Sequence, residues 1–292
     1  MPTPRRIALV LLAAIPFLAA PAIAAPATAA PLNSEYVALG DSFAAGPLVG
    51  VPDNVDPCLR SSENYAHLVA AAIHATVFRD VTCSGATTAN ILTTPQAGLL
   101  PGETVPIQLD AVTPTTTLVT LSIGANDIDL TSVAGACIQF TPPPLGTSCK
   151  ATDTAGGVDR GAAAVDTAAA PIARTLDAIH AKAPNARILV TSYANYIQPG
   201  GCYPYQPIWP DDATYMQGLV TRLGDVTRAV AAQHNAEYVD FITPGIGHDG
   251  CQLTSSWATF VVPGLTLGLV PFHPTALGEQ NFARIIETQL GD

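Results

Sequence analysis

Four short segments hold the residue types that acyl transfer requires: a hydroxyl nucleophile, a closely approaching backbone amide, a side-chain amide and an imidazole. The first is Gly40-Asp41-Ser42-Phe43-Ala44-Ala45-Gly46. A serine at a tight strand-to-loop turn that leads towards a helix exposes its hydroxyl and surrounds it with backbone N–H groups. The second is Cys83-Ser84-Gly85-Ala86-Thr87-Thr88, where a glycine lets a backbone N–H come close to a ligand. The third, Gly124-Ala125-Asn126-Asp127, offers the Asn126 amide as a donor to a developing oxyanion. The last is His273-Pro274-Thr275-Ala276-Leu277-Gly278-Glu279. Its imidazole titrates near neutrality and can accept a serine proton. Each segment alone has an ordinary structural reading: a helix-capping serine, a glycine turn, an asparagine bonded to its own turn.

What gives the four segments weight is the elements that precede them. Glu35–Leu39 reads as a strand ending at Gly40, Val77–Val81 as a second, and Thr116–Ile123 as a buried strand ending at Gly124. Helices are expected over 63–75, 158–181, 212–234 and 274–290, with further strands at Arg187–Tyr193 and Ala236–Phe241. Between Thr131 and Thr154 lies a loop rich in proline, glycine and cysteine. Strands alternating with helices indicate a parallel sheet covered on both faces, whose ligand site lies beyond the carboxyl ends of the strands. Three of the four segments follow a predicted strand, and the fourth enters the last helix.

Residues 1–29 read as a secretory signal peptide. Arg5 and Arg6 make a basic start, Ile7–Ala20 is an uncharged apolar run, and Ala22-Ile23-Ala24 and Ala27-Thr28-Ala29 are candidate cleavage sites. The run is shorter than the ~20 residues of a spanning helix, and Pro16 and Pro21 interrupt it. The residues around the arginine pair match a twin-arginine signal poorly. Residues 30–292 then form one domain. Losing the leader takes the formal charge from -11 to -13 (10 Lys+Arg against 23 Asp+Glu). So acidic a chain excludes nucleic acid and an anionic membrane as standing partners, and no later segment reads as a membrane span. Six cysteines in an exported chain imply disulfides. They allow fifteen pairings, and the sequence does not choose among them, although neighbour-to-neighbour pairing would close loops of modest size. No CxxC spacing, HExxH or comparable cluster is present, so neither a metal nor a cofactor is expected.

Taken together, GDSFAAG, CSGATT, SIGAND and HPTALGE, with CLRSSENYAHLVA between the first two, resemble the SGNH or GDSL hydrolases, and within them the secreted bacterial lipases and esterases. The blocks occur in the family's order across nearly the whole mature chain. The resemblance implies a flavodoxin-like three-layer α/β/α sandwich around a central parallel sheet of about five strands. It implies disulfides Cys58–Cys83, Cys137–Cys149 and Cys202–Cys251. It implies Ser42 as nucleophile, His273 as its general base, and an oxyanion hole formed by the N–H groups of Ser42 and Gly85 and the side chain of Asn126.

One position departs from the family pattern. Many members carry an aspartate three residues before the histidine, where this chain has Val270. The expectation is a Ser42–His273 dyad with the Val270 carbonyl accepting from Nδ1, and Asp249 as the alternative orienter. His67, His74, His180 and His234 have no partner spacing and read as structural. His248 reads as a loop residue near Cys251, and Asp41 as a brace for the Ser42 turn. The uncharged stretches 258–272 and 85–102 could line an acyl pocket or form core.

The expected substrate is a small-molecule or lipid ester and the expected state a monomer. A phospholipase, or an esterase acting on acylated polysaccharides, is the alternative. A non-catalytic extracellular binding protein on the same fold is disfavoured, since nucleophile, base and oxyanion donors are all present. An α/β-hydrolase is disfavoured too, because position 44 is alanine where a G-x-S-x-G elbow needs glycine, and only one strand precedes Ser42.

Overall fold

The computed structural model describes residue 1 and residues 30–50, 56–98, 101–262 and 270–291. The leader reading therefore lies outside the described residues, apart from Met1, as do parts of both uncharged stretches, at 99–100 and 263–269.

Five strands form one parallel sheet: β1 (Glu35–Gly40), β2 (Val77–Asp80), β3 (Leu118–Ser122), β4 (Arg187–Thr191) and β5 (Glu237–Val239). Their order is 2-1-3-4-5, with Tyr36 opposite both Phe78 and Leu118. β1 and β3 are buried along their whole length, as expected of a sheet covered on both faces. Helices α2 (Tyr65–Ala72) and α9 (Ala276–Leu290) pack together, as do α7 (Ala169–Lys182) and α8 (Pro210–Gln233). The chain is thus the flavodoxin-like α/β/α sandwich. Its order reverses at β1, so a crevice opens beyond the carboxyl ends of β1 and β3.

One predicted helix divides in two. Residues expected to run continuously over 158–181 form α6 (Arg160–Asp166) and α7. Pro171 is the cause: in an unbroken helix its ring would clash with the Thr167 carbonyl, and it has no N–H to donate there. In the first turn of a new helix starting at Ala169, neither matters. The helix expected over 63–75 ends at Ala72, and His74 adopts a left-handed conformation with φ 52°.

Disulfides join Cys58 to Cys83, Cys137 to Cys149, and Cys202 to Cys251. All three lie in segments that follow strand carboxyl ends. Beneath the crevice, Phe43, Phe241 and Phe282 form a buried aromatic cluster, with ring centroids 5.4 Å apart for Phe43–Phe282 and 4.5 Å for Phe241–Phe282. Such pairs each contribute ~0.5–1.5 kcal/mol beyond their burial. The cluster ties the turn carrying Ser42 to the helix that follows His273.

Candidate active site

β1 ends at Gly40, whose φ is 148° and whose added Cβ would stand 2.5 Å from the Ser122 carbonyl. Only glycine lets β1 and β3 run this close at their ends. The buried Gln108 side chain locks the same residue, accepting from Gly40 N and donating to Gly40 O, both at 2.8 Å. Asp41 then caps the short helix α1 (Ser42–Ala45), its Oδ1 accepting from Phe43 N at 2.9 Å. That cap leaves the Ser42 N–H, at the first position of the helix, outside it.

Asp41 does more than brace this turn. Its Oδ2 accepts a short hydrogen bond from the Tyr193 hydroxyl, which in turn accepts from Ala125 N at 3.0 Å. Segments following β1, β3 and β4 thus converge on one phenol oxygen. Burial pushes the Asp41 carboxyl up to about 7, against the pull of the bonds from Tyr193 and the Phe43 amide. Burial also raises the Tyr193 phenol well above its ordinary value, and the neighbouring Asp41 carboxylate adds to the shift.

Asn126 and Gly85 are held to one another through their neighbours. The Asn126 amide donates to the Ala86 carbonyl at 2.9 Å, which leaves its second N–H available. Asp127 accepts from Thr88 N at 3.1 Å and from the Thr88 hydroxyl at 2.5 Å, at the start of α3 (Thr88–Leu92). Gly85 has φ 81°, a backbone that strains any other residue, although an added Cβ would meet nothing closer than Gln96 Nε2 at 3.6 Å.

His273 sits just before α9 and is partly buried. Its Nδ1 meets the Pro271 carbonyl at 2.7 Å, which fixes the proton on Nδ1 and leaves Nε2 as the basic nitrogen. Neither expected orienter fills this role. The Val270 carbonyl is taken by the Thr259 hydroxyl at 2.5 Å. Phe272 adopts φ 63°, a left-handed turn that brings the carbonyl two residues before the histidine, not three, onto the ring. Asp249 is fully buried, and its Oδ1 accepts from Cys251 N at 2.9 Å, bracing the disulfide loop. Thr259 N also donates to the His273 carbonyl at 2.9 Å. Desolvation lowers the His273 pKa, and the Pro271 bond opposes it.

Ser42, Asn126 and His273 line one cavity. Gly85 does not line it, and its neighbour Ala86 accepts the Asn126 amide hydrogen bond beside the site. The remaining wall is mostly apolar. Leu130 and Ala134 of α4 (Leu130–Ala136) face Met216 and Val220 of α8, with Phe260 and Phe272 from the 258–272 stretch. Among the described residues, the 85–102 stretch contributes nothing to this wall. Four other histidines are engaged elsewhere: His67 with Asn64, His180 with the His234 carbonyl, His234 with Asp177, and His248 with the Ser255 carbonyl while stacking on Trp257. Among the described residues no group of three or more His, Cys, Asp or Glu could hold a metal ion.

Tyr193, Thr259, Gln108 and Pro271 were not singled out by sequence. A signal existed for Tyr193 alone, as a hydroxyl-bearing aromatic at the predicted end of β4.

A hydroxyl, an imidazole with a free Nε2 and a spare amide donor around an apolar cavity at the switch point of a parallel sheet define a class, the serine acyl hydrolases. The GDSL-like lipase/acylhydrolase family profile matches residues 38–280, and this chain belongs to that family. It is 36% identical over 270 residues to Lipase 2 of Streptomyces coelicolor, covering 88% of this chain and 86% of that one. Among solved structures, it resembles the extracellular lipase of Streptomyces rimosus (TM-score 0.70, 27% identity, 87% of this chain and 99% of that one). It also resembles phospholipase A1 of Streptomyces albidoflavus (TM-score 0.67, 26% identity, 87% and 98%). The protein is a carboxylic ester hydrolase. No helix among the described residues is long and apolar enough to cross a membrane.

Proposed function

We propose that this chain is a secreted lipase or esterase that cleaves fatty acyl esters through a Ser42–His273 dyad and an acyl-enzyme. His273 Nε2 takes the proton from Ser42 Oγ as the oxygen attacks the ester carbonyl. The negative charge then gathers on the former carbonyl oxygen, where Ser42 N–H, Gly85 N–H and the spare Asn126 N–H stabilise it. His273 returns the proton to the leaving alcohol. Water, deprotonated by the same nitrogen, releases the acid and regenerates Ser42. The Pro271 carbonyl holds the imidazole through the cycle, in the place that a carboxylate takes in a triad.

The observation that carries this reading is the convergence of Ser42, Asn126 and His273, 231 positions apart at the extremes (273 - 42), on one apolar cavity. Secretion, with residues 1–29 as leader and 30–292 as a single domain, rests on the basic-then-apolar start and the three disulfides. The extracellular relative adds to it. A phospholipase reading is kept beside the lipase reading because of the phospholipase A1 likeness.

The test is hydrolysis of p-nitrophenyl esters from acetate to palmitate by the mature protein and by Ser42→Ala. Turnover that is abolished by the substitution assigns the nucleophile, and the chain-length optimum separates esterase from lipase. A folded Ser42→Ala variant that keeps its turnover would sink the dyad.

A further inference from the structure

The loop between α4 and α5 (Cys149–Asp153) is tied by hydrogen bonds to its own backbone and to α8 while its large apolar side chains stay exposed. Gln139 N donates to the Pro207 carbonyl at 2.7 Å. The Gln139 side chain donates to the Thr147 carbonyl, and Trp209 Nε1 to the Thr141 carbonyl, both at 2.8 Å. The Thr141 hydroxyl donates to the Leu145 carbonyl at 2.6 Å, and the Cys137–Cys149 disulfide closes the base. On this fixed frame Phe140 is 79% exposed and Leu145 70% exposed. Three prolines stand between them, and residues 138–148 carry no charge.

The loop is continuous with the walls of the Ser42 cavity. α4, which contributes Leu130 and Ala134, runs directly into it. Trp209, which holds it, is the N-cap of α8, whose first turns contribute Met216 and Val220. The exposed Leu48, Ile246 and Leu253 also lie in segments following the carboxyl ends of strands.

We propose that the 138–148 loop docks the protein onto the surface of an electrically neutral lipid aggregate, with Phe140 and Leu145 entering the acyl layer. This deepens the lipid-ester reading and rests on it for the purpose of docking. Three observations select this occupant. The cavity beside the loop is apolar, and the long acyl esters that would fill it collect in aggregates. The chain carries a net charge of -11, which disfavours an anionic surface. Two projecting side chains fall far short of the ~800 Å² per partner of a stable protein interface, yet suffice to hold a loop in a lipid layer.

The test compares the protein with a Phe140→Ser/Leu145→Ser variant, both in a Ser42→Ala background, in co-sedimentation with phosphatidylcholine vesicles. The same pair of substitutions, with Ser42 intact, is assayed on soluble p-nitrophenyl acetate. Full burial of either side chain is worth roughly ten-fold or more in partitioning, so the variant should bind at least about ten-fold more weakly. Its turnover of p-nitrophenyl acetate should stay within about two-fold of the parent. Equal vesicle binding by both proteins overturns the proposal. So does a parallel loss of soluble-ester turnover, which would make the loop part of the cavity wall. Tighter binding to phosphatidylglycerol than to phosphatidylcholine, unaffected by the substitutions, would assign recognition to charge and also overturn it. Concentration-dependent self-association that the substitutions abolish, without vesicle binding, would assign the loop to a second copy of the chain. If vesicle binding is lost as expected but the unsubstituted protein hydrolyses no ester, the hydrolase mechanism falls and the docking surface stands.

Discussion

Strand β1 carries a carboxyl group at each end, and the two ends treat it in opposite ways. Glu35, at the amino end, is buried, which by itself would raise its pKa. Hydrogen bonds from Thr113, Thr116, Arg79 and Thr115 overcome that burial and hold the group down at about 2. Asp41, one residue past the carboxyl end, has a phenol and a backbone amide for partners and is pushed up to about 7. The contrast extends along the sheet. Arg187 at the start of β4 pairs with Glu237 at the start of β5, at 2.6 and 2.8 Å, and donates to the last carbonyls of α9. At the other end are aromatic rings, an apolar cavity and neutral donors. One end anchors the fold with ionised pairs, and the other holds an apolar-walled site in which neutral dipoles act with less screening than in water.

The sharpest way to break this division is at Asn126. Asn126→Ala should lower kcat by about 10²–10³, as removal of one oxyanion donor does, with little change in melting temperature. Full kcat in that variant would remove Asn126 from the site. Tyr193→Phe comes next. It leaves Ala125 N–H and Asp41 Oδ2 without their shared partner, and it should cost about ten-fold in kcat with KM nearly unchanged. If the loss arises through Asn126, it should shrink sharply in the Asn126→Ala background. An undiminished loss there would make Tyr193 a general structural support.

At the amino end the expectation reverses. Glu35→Gln should cost ~1–3 kcal/mol for a buried, multiply bonded carboxylate, and lower Tm by several degrees while ester turnover is unchanged. A fall in kcat with Tm held would contradict the division of labour.

The pH dependence separates the ends most finely. Glu35 has a folded pKa below its unfolded value, so its contribution is present above about pH 4.3 and is lost as pH falls towards 2. Asp41 has a raised folded pKa, as does the buried Glu279. Their folded forms hold protons that the unfolded chain releases, so Tm should decline as pH rises from about 4 towards 7. A melting curve series across pH 2–8 checks both limbs. Activity follows His273. Its pKa is lowered and only neutral imidazole serves as base, so the acid limb of kcat/KM should lie below the ordinary ~6.5.

The four chemical segments were legible because each is local: a glycine-ended strand followed by a polar residue is written in consecutive positions. The helix boundaries around Pro171 and His74 were less so, since proline geometry and a left-handed residue shift an end without changing the apolar pattern. The histidine orienter was misplaced by one residue. Counting back from His273 gives Val270, but the positive φ of Phe272 and the claim of Thr259 on the Val270 carbonyl come from packing.

By itself the sequence determined the family, the α/β alternation, the ends at which the active groups stand, and the absence of an aspartate at position 270. Those properties depend on residue type and on the order of neighbours along the chain. Tertiary structure alone decided that Pro271 orients His273, that Tyr193, 152 positions from Asp41, joins it to Ala125, and that α4 and α8 wall the cavity. The last two are contacts between segments distant in sequence, and the first follows from the Phe272 turn and from Thr259 claiming the Val270 carbonyl, so each is set by what the fold brings within hydrogen-bonding or packing distance.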